Sequence, residues 1–280
     1  MYSSLYPVLE RIHPNSRDEN INLVEETHKY TVLTEPETTY TSVTTWVKSH
    51  FPQFDPDESI KKMMKRKNWQ VGHRYWGLNP EEIKALWEKN NDTLSSAGTD
   101  LHFQIECFMN ERMLPSGYTH DNLCNLYMFQ YKKRHGSTPL EWQYFIRFVK
   151  DFPDLKPYRT EWRIYDEDVK ISGSIDAAYK NSDGTLTLYD WKRCKQITRI
   201  NKWNDFALSM HICHLPSSNF WHYAMQLNTY KVILEDKYGK KVKDLFIVRL
   251  HPDATAENYE LIKMPDLSRE VRSLFQEIKR

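Results

Sequence analysis

Asp176, Asp190 and Lys192 are the residues whose types and spacing point most directly to chemistry. They lie in the segment Ser172 to Lys192, SGSIDAAYKNSDGTLTLYDWK, where Ser182-Asp183-Gly184 is a turn signal between two strand patterns. The segment reads as a β-hairpin, and its register decides what the acids can do. A three-residue loop with Gly184 in the left-handed conformation pairs Asn181 with Thr185 and brings Asp176 opposite Asp190 on one sheet face. A four-residue loop would send the two acids to opposite faces. The first register is the expectation. Asp190 and Lys192 are two apart on a strand and so point the same way, with Trp191 turned away. Two adjacent carboxylates repel, and a divalent cation relieves the repulsion; hard oxygen donors suit Mg²⁺ or Mn²⁺. Lys192 could then orient or activate an attacking water, or neutralise charge developing on a phosphoryl group.

A D-x-K triplet alone arises by chance in many proteins. The context gives it weight: Leu186 and Leu188 lead into Asp190, so the acid sits at the inner end of an apolar strand, where a solvated edge is a poor explanation. Other groupings carry less. His211, Cys213, His214 and His222 have no standard zinc spacing. The four cysteines, Cys107, Cys124, Cys194 and Cys213, form no C-x-x-C pair and read as free thiols. No G-x-x-x-x-G-K-[ST] loop occurs, which excludes nucleotide use by that route.

The elements that must position these residues divide the chain into a helical first half and a strand-rich second half. His28 to Leu33 reads as a short strand, with Thr39-Tyr40 beginning its return. Ser42 or Thr41 caps a helix holding Val43, Trp46 and Val47 that Pro52 ends. A second helix starts near Asp57 and carries Lys61, Lys62, Lys65, Arg66 and Lys67, a run that is most often a solvated face but could line a DNA channel. Asn79-Pro80-Glu81-Glu82 is a strong helix start, Asp92 to Met113 a long helical pattern, and Thr138-Pro139-Leu140-Glu141 opens a helix to about Lys150. Strands follow at Glu161–Tyr165, Val169–Tyr179 and Thr185–Lys192, then a helix from Pro216 to about Tyr238, strands at Lys243–Leu250 and Tyr259–Lys263, and a closing helix from Leu267. This order predicts an α/β fold: a mixed central sheet flanked by helices, with a mostly helical N-terminal region at 1–92 and the core at 93–280.

Composition bounds the answer without naming it. A hydrophobic fraction of 40% over 280 residues suffices for one large core. A net charge of +1 does not announce nucleic-acid binding, yet a neutral total can hide a basic cleft. Most of the nine tryptophans and seventeen tyrosines are expected in core or sub-domain packing, and a few could stack on unpaired bases. Met1 to Glu10 lacks a basic stretch followed by an apolar one, so an intracellular setting is the expectation.

Four blocks, in order, resemble the PD-(D/E)XK nuclease superfamily in its RecB-like exonuclease branch. Gly98-Thr99-Asp100-Leu101-His102 is similar to its helical G-x-x-x-H block, Gly173-Ser174-Ile175-Asp176 to its G-x-x-D block, Asp190-Trp191-Lys192 to its D-x-K signature, and Gln226-Leu227-Asn228-Thr229-Tyr230 to the Q-x-x-x-Y helix that follows. Ile175 stands where the family name has proline. The region from His28 to Phe54 also looks like the start of single-strand exonucleases related to mitochondrial genome-maintenance exonuclease and its viral relatives. The resemblance implies a restriction-endonuclease-like core and a Mg²⁺- or Mn²⁺-dependent DNA exonuclease acting on single strands or DNA ends, in repair or recombination. It implies no iron–sulfur cluster, since the cysteines for one are missing. His102, Asp176, Asp190 and the Trp191 carbonyl would ligate metal; Glu161 resembles a further acidic position of the branch, and Glu106 shares the face of His102 one turn on. Gln226 would hold Lys192 or a phosphate, and Tyr230, Arg193, Lys195, Lys62 and Arg66 would contact DNA. Two alternatives stay open: a structure-selective endonuclease on the same fold, and an inactive module that binds DNA ends.

Overall fold

Gly184 turns the chain with a φ of 83°, and the Asn181 amide donates to the Thr185 carbonyl at 2.8 Å. A left-handed residue at this point costs glycine nothing and closes the expected three-residue loop. The computed structural model describes residues 8–24, 27, 29–113, 119–201, 203–254 and 256–279. In chain order the described elements are α1 (Val8–Ile12), β1 (Ile21–Val24), β2 (Lys29–Val32), β3 (Thr41–Ser42), α2 (Val43–Ser49), α3 (Pro56–Met64), α4 (Pro80–Glu111), α5 (His120–His135), α6 (Leu140–Asp151), β4 (Lys156–Asp166), β5 (Ile171–Lys180), β6 (Leu186–Lys192), α7 (Asn219–Lys237), β7 (Val242–Arg249), β8 (Glu260–Lys263) and α8 (Ser268–Ile278).

The main sheet is mixed. β5 is antiparallel to β4 on one edge; on the other it pairs with β6 through Ala177–Lys180 and with β3 at Ile171 and Ser172. β6 runs parallel to β7 through the α7 crossover, and β8 closes the sheet. Helices α2, α7 and α8 bury Trp46, Leu227, Ile233 and Leu274 with Ile164, Leu188 and Ile247 on one face. On the other, α4, α5 and α6 bury Phe108, Tyr127, Trp142 and Phe148 with Tyr179, Tyr189 and Trp191. This is the mixed α/β sheet flanked by helices that the element order predicts.

Local chemistry explains the helix starts. Ser42 Oγ accepts from the Thr45 amide, and Asp55 caps α3 through the Glu58 amide. Asn79 and Glu82 form a reciprocal capping box at α4. Helix α4 then runs unbroken through residues 92 and 93, joining the two patterns read separately in the sequence.

Two local expectations change. The strand at 29–32 does not return through Thr39-Tyr40; it pairs with the preceding β1, Ile21 against Val32, and both side chains bury with Tyr40 and Tyr165. His28 lies outside the described residues. Residues 41–42 instead join the main sheet beside β5. Helix α3 ends at Met64, so Lys65, Arg66 and Lys67 lie on the loop beyond it.

Candidate active site

The site begins with a row across three strands. The pairs Thr160↔Ala177 and Trp162↔Ile175 put Glu161 of β4 across from Asp176 of β5. Ala177↔Tyr189 is the last β5–β6 pair, and one step further on Asp176 faces Asp190. The register is the expected one, and both acids act on Lys192. Ile175 packs into the α7-side core and Ala177 into the α4-side core, so alternation slips at Asp176. The slip falls where pairing to β6 stops and where Glu161 takes a φ of 43°, a conformation uncommon for a residue with a side chain.

The site has two hydrogen-bonded halves, and both acids act on Lys192 across them. In the first, His102 on α4 has Nδ1 3.5 Å from Asp176 Oδ2 and 3.8 Å from Glu161 Oε1. Ser174 Oγ donates to Glu161 Oε2 at 3.0 Å. Ligating atoms of His102, Glu161 and Asp176 all lie within 4.8 Å of one another, an acidic cluster able to hold a metal ion. It is the one group of three such residues among the described residues. In the second half, Lys192 Nζ donates to Asp190 Oδ1 at 2.9 Å, and Gln226 Nε2 donates to the same oxygen at 3.2 Å. Asp190 Oδ2 lies 2.7 Å from Nζ but off hydrogen-bonding geometry, and is otherwise buried without a partner. Such an oxygen has capacity left for a cation.

Trp191 joins the halves. Its amide donates to Asp176 Oδ2 at 2.9 Å, and its carbonyl lies 2.8 Å from His102 Nε2. Its indole is 1% exposed and meets Phe145 and Phe148 of α6 edge-on. Burial of that ring, on the order of 3 kcal/mol, fixes the strand end whose backbone serves the site.

Electrostatics follow from this crowding. Burial alone would lower the His102 pKa, but the Asp176 and Glu161 carboxylates outweigh it and lift the imidazole to about 9. Burial pushes Asp176 up, with Glu161 adding repulsion against the pull of His102 and Lys192. Asp190 is likewise raised by burial and by Asp176, against Lys192. For Lys192, burial opposes charge, yet Asp190 and Asp176 raise the ammonium above its ordinary value. Burial works against charge on Asp176, Asp190, His102 and Lys192 alike, and the opposite charges among them work for it; the His102–Glu161–Asp176 group has the oxygen-rich donors that hard cations prefer.

Beneath the site, α7 supplies support. Tyr230 is 3% exposed, and Gln226 Nε2 lies within 3.3 Å of its hydroxyl. A Cβ on Gly173 would stand 2.7 Å from Tyr230 Cε1, so the glycine admits the ring. Gln226 and Tyr230 are both buried; Gln226 donates to Asp190, the partner of Lys192, and the Tyr230 ring packs against Gly173. Arg193 is also committed, its Nε donating to Glu141 at 2.8 Å with little exposure. Lys195 pairs with Asp253 and Lys62 with Glu58, both pairs exposed, while Arg66 lies over the Trp203 ring. Glu106 is half-buried one turn beyond His102, and its carbonyl accepts from Asn110, which also ties α4 to Thr160 of β4. His211 pairs with Glu277, whereas His222 packs on Phe51. Two residues enter that motif reading passed over. Ser174 orients Glu161 and shares its strand face with Asp176 two positions on; Tyr223, three before Gln226 on α7, lies 5.0 Å below Lys192 Nζ. Their i+2 and i+3 spacing to motif residues is the signal that finds them.

No protein-family profile and no curated protein sequence matches the chain. Among the solved structures similar to it are the following three. A candidate exonuclease from Eubacterium rectale has a TM-score of 0.33 and 11% identity, covering 60% of this chain and 67% of that one. An alkaline exonuclease from Laribacter hongkongensis has a TM-score of 0.29 and 15% identity, over 59% and 82%. A protein named SSO0001 has a TM-score of 0.23 and 13% identity, over 65% and 86%. Likenesses of this size carry no argument about chemistry, which rests on the side chains. No described helix is long and apolar enough to cross a membrane.

Proposed function

We propose that this protein is a divalent-metal-dependent deoxyribonuclease hydrolysing phosphodiester bonds, with exonuclease action on DNA that has a free end or an unpaired stretch. The observation that carries the reading is the meeting of His102, Glu161 and Asp176 with the Asp190–Lys192 pair at the backbone of Trp191. His102, Glu161 and Asp176 would hold Mg²⁺ or Mn²⁺, with Asp190 Oδ2 and the Trp191 carbonyl beside them. The bound ion supplies Lewis acidity toward a phosphoryl oxygen and lowers the pKa of a water.

The chain's own residues do the rest. Lys192 stays an ammonium at neutral pH because Asp190 and Asp176 face it, so it serves as a donor to charge growing on the phosphoryl oxygens, not as a base. Gln226 fixes the Asp190 carboxylate so that Lys192 is held in one place. Ser174 turns Glu161 toward His102.

Incubating end-labelled single- and double-stranded DNA with Mg²⁺, Mn²⁺ or EDTA tests the reading. Cleavage is expected with either ion and none with EDTA, and a closed single-stranded circle is expected to survive. Lys192→Ala is expected to lower the cleavage rate by about a hundredfold or more while DNA binding persists. Cleavage in EDTA, or undiminished cleavage by K192A, would refute the assignment; a cut circle would make the enzyme an endonuclease.

A further inference from the structure

The sixteen residues from Lys61 to Trp76, KKMMKRKNWQVGHRYW, carry six lysines and arginines and no acid. Residues 193–204 carry four more, again with no acid before Asp205. In a chain whose net charge is +1, this concentrates cations that are balanced elsewhere. The fold brings the two segments together. The Arg66 guanidinium lies 5.2 Å from the centroid of the Trp203 ring, which is 63% exposed. On the same loop as Arg66, Trp69 sits 5.9 Å from Trp76, itself 45% exposed, and Tyr75 meets Trp87 of α4 at 6.1 Å. From Trp203 the chain leads back to Arg199, which lies over Phe220 at 4.1 Å, and Phe220 is three residues from the Tyr223 that underlies Lys192.

Exposed rings of this size are costly to leave in water. Lys62, Arg193 and Lys195 pair with acids outside the two segments, Glu58, Glu141 and Asp253; the rings, with Arg66 over Trp203 among them, match one chemistry: bases whose faces are free, strung on a phosphate backbone. A duplex offers the phosphates but hides the faces. We propose that Trp203, Arg66 and the Trp69–Trp76 loop form a binding surface for single-stranded DNA, separate from the hydrolytic centre. The proposal rests on the nuclease reading above for its choice of DNA.

Helix α4 supplies the spacing. Trp87 and His102 are fifteen residues apart on it, about 22 Å at the rise of an α-helix and within about 60° of the same face. A strand stacked at roughly 3.4 Å per nucleotide would need about six nucleotides to span them. A very short oligonucleotide can therefore occupy the surface or the hydrolytic centre but cannot span both, and gains the contacts of only one.

The test is fluorescence anisotropy of the full chain in EDTA with labelled dT20, dT4, rU20 and a blunt duplex of the same length as dT20. Binding of dT20 is expected to be at least about tenfold tighter than binding of dT4 or duplex. Trp203→Ala is expected to weaken dT20 binding by about tenfold and collapse the preference over dT4, whereas Phe129→Ala, which removes an equally exposed ring from α5, keeps it. Equal binding of dT4 and dT20, a duplex bound as tightly as dT20, W203A binding like wild type, or tighter binding of rU20 would each overturn the proposal. If no DNA is cleaved with any metal but the Trp203-dependent length preference remains, the hydrolytic reading fails and this surface stands.

Discussion

Glu161 stands directly across the β4–β5 ladder from Asp176, and there it holds a left-handed φ of 43°. A glutamate in that conformation is strained by about 1–3 kcal/mol and persists only where its neighbours over-determine it. They do: Arg159 Nη1 and Trp162 Nε1, on either side, both donate to Asp18, at 2.7 Å and 3.0 Å. The strained residue lies beside Asp176, whose carboxylate is 3.5 Å from His102 Nδ1.

In the proposed metal set, the strain at Glu161 is the cost of presenting its carboxylate to the ion. Glu161→Gly is expected to raise the stability of the metal-free protein by about 1 kcal/mol, since glycine accepts the positive φ. Glu161→Gln keeps the side-chain shape and the Ser174 contact. Wild type is expected to gain about 2–3 kcal/mol with Mn²⁺ near a hundred times its Kd, and both variants less at the same concentration. Urea titrations with EDTA or Mn²⁺ measure both effects; equal Mn²⁺ stabilisation of E161Q and wild type would remove Glu161 from the ligand set.

Gly173 and Gly98 belong to neighbouring motifs but have opposite surroundings. Any Cβ at 173 meets the Tyr230 ring at 2.7 Å and Val43 at 3.1 Å, whereas nothing lies within 4 Å of one at 98. Gly173→Ala is expected to destabilise by about 1–3 kcal/mol and to lower activity by displacing the helix that carries Gln226. Gly98→Ala, in the interior of α4, is expected to stabilise by about 0.5–1 kcal/mol. Denaturation midpoints moving the same way for both variants would contradict the packing described.

Acid stability offers a third check. Burial would raise the Asp266 carboxyl, but Lys231 and Ser268 outweigh it and bring it to about 2. Because the folded value lies below the unfolded one, the stability this carboxylate contributes is complete above about pH 4 and is lost as pH falls toward 2. The group is largely exposed, so the contribution is under about 1 kcal/mol. Subtracting the Asp266→Asn stability curve from that of wild type is expected to show this loss between pH 4 and 2; a flat difference would rule it out.

The sequence was most legible where periodicity and turn chemistry agreed. Gly184 in its turn, the Asn79 cap and the apolar run into Asp190 each led to the right element and register. Helix α5 was not legible. Its buried stripe of Leu123, Cys124, Tyr127 and Tyr131 is interrupted by the exposed Phe129 and by half-buried Leu126 and Met128. The split of partners, Asp176 with His102 and Asp190 with Gln226, could not be read either, because both helices lie far from the hairpin in the chain. Buried roles for Gln226, Tyr230 and Arg193 were hidden for the same reason: their partners are distant in the chain.

Trp191 gives its indole to one layer of the protein and its peptide groups to the chemistry. A shift of α6 against the sheet would therefore move the amide under Asp176 and the carbonyl beside His102 together. The packing of an aromatic core and the spacing of the candidate site are, at this residue, a single mechanical variable.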